Sequence, residues 1–192
     1  MKTVSLSGLQ RGGVGKKDAA TVRKEGKVPG VLYGGKDQIH FYVNDLEIKK
    51  IVHSPEAYVV ELNLDGNKYR SVLQEIQFHP VTDRILHFDL LQLFDDKQVR
   101  VSLPVRISGT SPGVMQGGKL AVNYRSLPVK GLPANLPDAI NIDISDLKVA
   151  ENVRIRDLNI EGCQIMQPAA SVVVAVKATR ASIAAGSAPA EA

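Results

Sequence analysis

The chain of 192 residues carries 24 Lys and Arg against 20 Asp and Glu, is 44% apolar, and contains no Trp and a single Cys. That composition excludes fibrous and wholly disordered chains and leaves room for one large domain or two small ones, either able to bury a core. A membrane span needs about 18 consecutive apolar residues; the most apolar run, 169–176, is far shorter and contains Ser171. Met1 to Ser7 lack the apolar stretch and small-residue cleavage site of a secretory signal, so a cytoplasmic protein without a membrane partner is expected. Cys163 alone can form neither an intramolecular disulfide nor a Cys-based metal site, and a buried, inert thiol is expected there.

The net charge of +4 is unevenly placed. Lys2, Arg11, Lys16, Lys17, Arg23, Lys24, Lys27 and Lys36 face only Asp18 and Glu25 within residues 1–36. A short segment this basic, in a chain otherwise slightly acidic, is the electrostatic footprint of a polyanion-binding surface.

In chain order, the pattern predicts a helix over about 16–25, stopped by Gly26, a residue suited to the left-handed position after a helix end. Strands are expected at 28–33 and 39–43 around Gly34-Gly35. A second helix should start after Asn44 or Asp45 and end near His53, before Ser54-Pro55. Residues 58–78 read as a hairpin, because alternating apolar positions flank Asp65-Gly66 and both central residues of a type I′ turn need positive φ. A further strand covers about 84–94. The polar link Asp95-Asp96-Lys97-Gln98 marks a domain boundary, and beyond it the alternation of Val99, Val101, Leu103, Val105 and Ile107, then of Ile140, Ile142 and Ile144, predicts a second domain that is nearly all β. Leu127 to Pro137 reads as extended chain broken by Pro and Gly. The last residues, rich in Ala, Ser, Gly and Pro, read as a mobile tail.

Enzymatic motifs fail residue by residue. Gly113 to Lys119 has the spacing of a phosphate-binding loop, but Leu120 stands where a hydroxyl must hold magnesium and no helix pattern follows. His40, His53, His79 and His87 are scattered without metal-ligand spacing, and no nucleophile motif appears. No catalytic, cofactor or metal site is therefore expected.

One constellation remains. Residues two apart on a strand share a face, so Leu86, Phe88 and Leu90 should point into a core while His87 and Asp89 project together from the other side. In an enzyme the Asp would orient the imidazole; a hydrolase built on the pair would still need a pocket and a nucleophile. On an RNA surface a carboxylate is repelled by phosphates and must accept from donors on base edges, the reading that fits beside a basic segment. Tyr33, at a strand end, could stack on a splayed base or bond a phosphate. Gln74, Gln77 and His79 lie toward the end of the hairpin's second strand, where amides can read base edges.

These residues carry a resemblance. Arg11 through Gly15-Lys16-Lys17, then Arg23-x-x-Gly26-x-Val28-Pro29-x-Val31-Leu32-Tyr33-Gly34, Gln74-x-x-Gln77-x-His79-Pro80 and Leu86-His87-x-Asp89-Leu90 resemble the bacterial 5S rRNA-binding proteins of the large ribosomal subunit, in the long two-domain form of the general stress protein Ctc family. Leu103-Pro104-Val105-x-Ile107-x-Gly109-x-x-Pro112-Gly113-Val114, Leu132-Pro133-x-x-Leu136-Pro137 and Ile142-Asp143-Ile144-Ser145-x-Leu147 are similar to that family's C-terminal domain. The resemblance implies a mainly β fold with a few short helices. An N-terminal six-stranded β-barrel, similar to the anticodon-binding barrels of glutaminyl-tRNA synthetase, would occupy 1–94, an all-β C-terminal domain 95–178, and a tail 179–192.

It also implies a non-enzymatic role, binding 5S rRNA at its loop E region. Arg11, Lys16 and Arg23 match the family's basic contacts, Tyr33 its aromatic contact, Gln74 a polar contact, and His87 and Asp89 its His-x-Asp pair; Lys17 is added on charge alone. Partners expected are 5S rRNA and the large subunit, with neighbouring ribosomal proteins reached through the second domain, by a chain that is monomeric when free. A stress-associated RNA-binding module acting off the ribosome is the alternative. Ala20 and Thr21 stand where members often carry an Arg pair, and Ala150 where Gly is usual before Glu151-Asn152.

Overall fold

The computed structural model describes residues 1–35 and 37–179; Lys36 and the tail from residue 180 lie outside the described residues. The elements are β1 (Lys2–Gln10), α1 (Lys16–Lys24), β2 (Lys27–Tyr33), β3 (Ile39–Asn44), α2 (Asp45–Val52), β4 (Tyr58–Leu64), β5 (Asn67–Phe78), β6 (Ile85–Gln92), β7 (Val99–Ser108), α3 (Pro112–Met115), β8 (Lys119–Val122), β9 (Ser126–Gly131), β10 (Ile140–Asp143), β11 (Asn152–Arg154), β12 (Cys163–Ile165) and β13 (Val172–Lys177). The fold is thus mainly β with few short helices.

Local chemistry accounts for most boundaries. Helix α1 has Asp18 in its first turn and Arg23 and Lys24 in its last, each opposing the helix dipole, and Gly26 follows its end at φ 75°. Helix α2 is capped by Asn44, whose side chain accepts from the Leu46 amide at 3.1 Å, and it buries Ile48 and Ile51. Between β4 and β5, Asp65 (φ 48°) and Gly66 (φ 91°) make the predicted turn.

The first six strands close into a barrel in the order β1-β3-β2-β6-β5-β4, with β4 returning to β1 in parallel from Lys2↔Tyr58 to Gly8↔Leu64. Strand β1 has no counterpart among the strands read from the sequence. Its inward positions are Val4, Leu6 and Gly8, alternating with exposed Ser5 and Ser7, but only Leu6 is fully buried, so this short apolar signal is completed by pairing on both edges. Inside, Phe41 and Phe88 meet edge to face with ring centroids 5.5 Å apart, among Leu6, Val28, Leu32, Val43, Leu62 and Leu90. Gly30 pairs with both aromatic residues in register, and a Cβ there would lie 2.7 Å from the Phe88 ring, so close approach requires glycine.

The chain divides into two compact units. One comprises Met1–Val101 with Leu132–Asp138, the other Ser102–Gly131 with the described residues from Ala139 on. The C-terminal half forms a four-stranded sheet ordered β10-β7-β9-β12 and a three-stranded sheet ordered β11-β13-β8. Gly117-Gly118 leads into β8, and Lys119 begins that strand. The Gly113 and Val114 amides are held by the hydroxyl of buried Ser111, which caps α3. Cys163 is half-buried rather than buried, because β12 lies at the edge of its sheet. What burial there is pushes its thiol pKa up.

Candidate nucleic-acid interface

Strand β6 positions the His-x-Asp pair. Phe88 and Leu90 are fully buried, and the alternation turns His87 and Asp89 to the outside. There His87 Nδ1 lies 2.9 Å from Asp89 Oδ1, with both side chains about a quarter to a third exposed. With the Nδ1 proton donated to Asp89, Nε2 is an acceptor on a neutral ring and a donor on a charged one.

Two bulges bracket this pair. On β5, Leu73 pairs with Leu90 and Glu75 with Asp89, so Gln74 is an extra residue; on β6, Ile85 pairs with Phe78 and His87 with Gln77, so Leu86 is extra. Each bulge re-aims a side chain and interrupts the ladder. The second corrects the expected core. Ile85 is buried and Leu86 is only half-buried, because the inserted residue shifts the alternation by one at the start of β6. The freed Leu86 carbonyl accepts from Arg23 Nε at 2.9 Å, which ties the end of α1 to the start of β6.

Register extends the face across the barrel. Glu75 pairs with Asp89, Asp89 with Val31, and Val31 with His40, whose carbonyl accepts from the Arg11 amide at 2.9 Å. Tyr33 lies two residues along from Val31 on the same face. Partial burial, and then the negative charges of Asp89 and Glu75, push its phenol pKa up, so the hydroxyl keeps its proton as a donor. With carboxylates at its centre, the face repels phosphate and favours amino and hydroxyl donors such as base edges and riboses present.

The predicted residues divide by circumstance. Lys16 and Lys17 stand exposed at the start of α1 and Arg23 at its end, beside the carboxylate-bearing face. Ala20 and Thr21 are exposed on the same helix, with Thr21 Oγ1 donating to the Lys17 carbonyl at 3.1 Å. Arg11 is engaged within the protein, its side chain only 7% exposed and forked onto Asp18, with Nε–Oδ2 at 3.0 Å. Gln74, at its bulge, donates from Nε2 to the Arg100 carbonyl of the same compact unit at 3.1 Å. His79 sits beyond β5 in a turn, its Nδ1 accepting from the Val81 and Thr82 amides. Glu75 and His40 are members of the face that sequence reasoning did not single out. Strand spacing from Asp89 could not reveal them, because register across strands brings them into line.

Among the described residues, no group of three or more His, Cys, Asp or Glu side chains is placed to hold a metal, and no helix is long and apolar enough to cross a membrane.

Comparison with known proteins identifies the family. Residues 6–90 match the ribosomal L25p family, and residues 98–180 match the C-terminal domain of ribosomal protein TL5. The chain is 44% identical over 191 residues to the large ribosomal subunit protein bL25 of Amoebophilus asiaticus, covering 100% of this chain and 97% of that one. It is 44% identical over 183 residues to bL25 of Porphyromonas gingivalis, covering 94% and 95%, and 43% identical over 166 residues to that of Cytophaga hutchinsonii, covering 86% of each. With similarity running through the barrel and the second half alike, the chain belongs to the ribosomal L25p family.

Proposed function

We propose that this chain is a structural constituent of the large ribosomal subunit that binds 5S rRNA at its loop E region. The observation that carries the reading is the His87–Asp89 pair, held at 2.9 Å on a rigid strand between two bulges and beside the exposed cations of α1. Loop E is an irregular helix, and irregular RNA presents base edges and groove shapes that a regular A-form helix hides. Lys16, Lys17 and Arg23 supply salt-dependent affinity to phosphates. Tyr33, His87 and Asp89 supply register and selectivity. Arg11 contributes by fixing α1 through Asp18, and Gln74 through the bulge it occupies.

We assign the RNA-binding domain to 1–94 and the second domain to 95–178, although the compact units themselves divide after Val101 and return Leu132–Asp138 to the first. Residues 91–97, between the two matched family segments, support that division. The barrel leaves no free strand edge, which favours a monomer, whereas β10 and β12 are open edges on which neighbouring ribosomal proteins can dock.

The test is a titration of the protein against 5S rRNA and against a version whose loop E is replaced by regular Watson-Crick helix, over a range of salt. Preference for intact loop E is expected, with log K falling against log salt at a slope of roughly −3 to −6 for about four to six phosphates. Equal binding to both RNAs would overturn the proposal. Co-sedimentation with large subunits separates a ribosomal constituent from an RNA-binding module acting elsewhere.

A further inference from the structure

Around the corner from the His87–Asp89 face lies a cleft of about 570 Å³ between α1, α2 and the start of β6. Five cationic side chains line it, from Arg23, Lys24, Lys27, Lys49 and Arg84, against the single carboxylate of Asp45. Lys27 is paired with Glu25 at 3.0 Å and Lys49 with Asp45, while Arg23, Lys24 and Arg84 have no carboxylate partner among the described residues. Lys27 and Lys49 come from β2 and α2, and Arg84 from the turn before β6, so the convergence is tertiary. Like charges gathered in a concave site repel one another, and a polyanion seated there relieves that repulsion.

We propose that this cleft binds the phosphate backbone of an RNA strand that continues from the segment read by the His87–Asp89 face. The inference rests on the proposed RNA-binding function and extends its footprint. The link between the two sites is Arg23, which lines the cleft and is fastened to the Leu86 carbonyl immediately before His87. From Leu86 to Asp89 is about 10 Å along the strand at roughly 3.3 Å per residue, a span that one RNA strand covers. The division of labour is chemical: the carboxylate-bearing face excludes phosphate and takes base edges, and the cleft takes the phosphates that follow.

The test removes charge from the cleft without breaking an ion pair. Lys24→Gln/Arg84→Gln is compared with Lys68→Gln/Lys97→Gln, an equal charge loss outside the cleft, each titrated in the full chain against intact 5S rRNA and the loop E replacement. The expected result is a salt slope shallower by about 1.4 to 1.8 for the cleft variant alone, with the preference for intact loop E retained. A cleft variant whose slope matches the control overturns the inference while leaving loop E recognition standing. A parent protein without loop E preference overturns the proposed function instead. If a polyglutamate peptide binds through Lys24 and Arg84 while RNA affinity is unchanged, the cleft is a site for acidic protein segments and the RNA assignment fails.

Discussion

His87 and Asp89 are bound to each other, Nδ1 to Oδ1 at 2.9 Å, on the one stretch of β6 that lies between two interruptions of the barrel's hydrogen-bond ladder. The bond orients the imidazole, the bulges at Gln74 and Leu86 set the curvature of the strands beneath it, and Phe88 anchors the strand in the core. Replacing either partner with Ala is expected to cost about 1 to 3 kcal/mol in binding intact loop E, with a smaller loss against regular helix. Competition binding with the two RNAs measures it; equal loss for both would reduce the pair to a structural contact.

Arg11 and Asp18 join the end of β1 to the first turn of α1. Asp18→Asn leaves a nearly buried guanidinium without its counter-charge. A loss of about 1 to 3 kcal/mol is expected in urea unfolding, with weaker RNA binding because the cations of α1 lose their fixed position. Unchanged stability would show that the helix is held by Val22 and the Arg23–Leu86 bond alone.

Gly30 is where two barrel strands and two aromatic rings converge. In Gly30→Ala the new methyl meets the Phe88 ring at 2.7 to 2.9 Å. Overpacking of about 1 to 3 kcal/mol is expected, and thermal denaturation reads it directly.

Tyr33 reports the electrostatics of the face. Burial and the nearby carboxylates raise its pKa above 10.0, so its contribution to stability is whole below that value and is lost as pH rises through the higher folded pKa. In an ultraviolet titration Asp89→Asn is expected to lower the Tyr33 midpoint. The shift should not vanish, since burial is the larger cause. An unmoved midpoint would mean that Asp89 does not act on the phenol.

Ala150 adopts φ 69°, the left-handed region that disfavours a side chain. The backbone keeps that conformation in spite of the methyl group, because the Ala150 amide donates to the Val176 carbonyl at 2.9 Å and the Lys148 amide to Glu151 at 2.8 Å. Ala150→Gly is expected to stabilise the second unit by about 1 kcal/mol, after allowing for the greater freedom of glycine in the unfolded chain. Destabilisation would show that the methyl contributes packing.

Short-range features were legible in the residues alone. Asn44 and Gly26 mark helix ends, Asp65-Gly66 makes its turn, and the alternation through Phe88 and Leu90 sends His87 and Asp89 outward, because caps, turns and strand faces depend on residues only a few positions apart. The concentration of charge before residue 37 needed no structure either. Tertiary structure alone decided the rest. Strand β1 is completed by pairing with β3 and β4. Leu86 leaves the core because a bulge shifts it, Glu75 and His40 join the face because strands align there, and Arg11 is bound by Asp18. The reason is the same in each case: register across a barrel is set by the simultaneous pairing of segments distant in sequence, and a one-residue shift in any of them changes which side chains share a face.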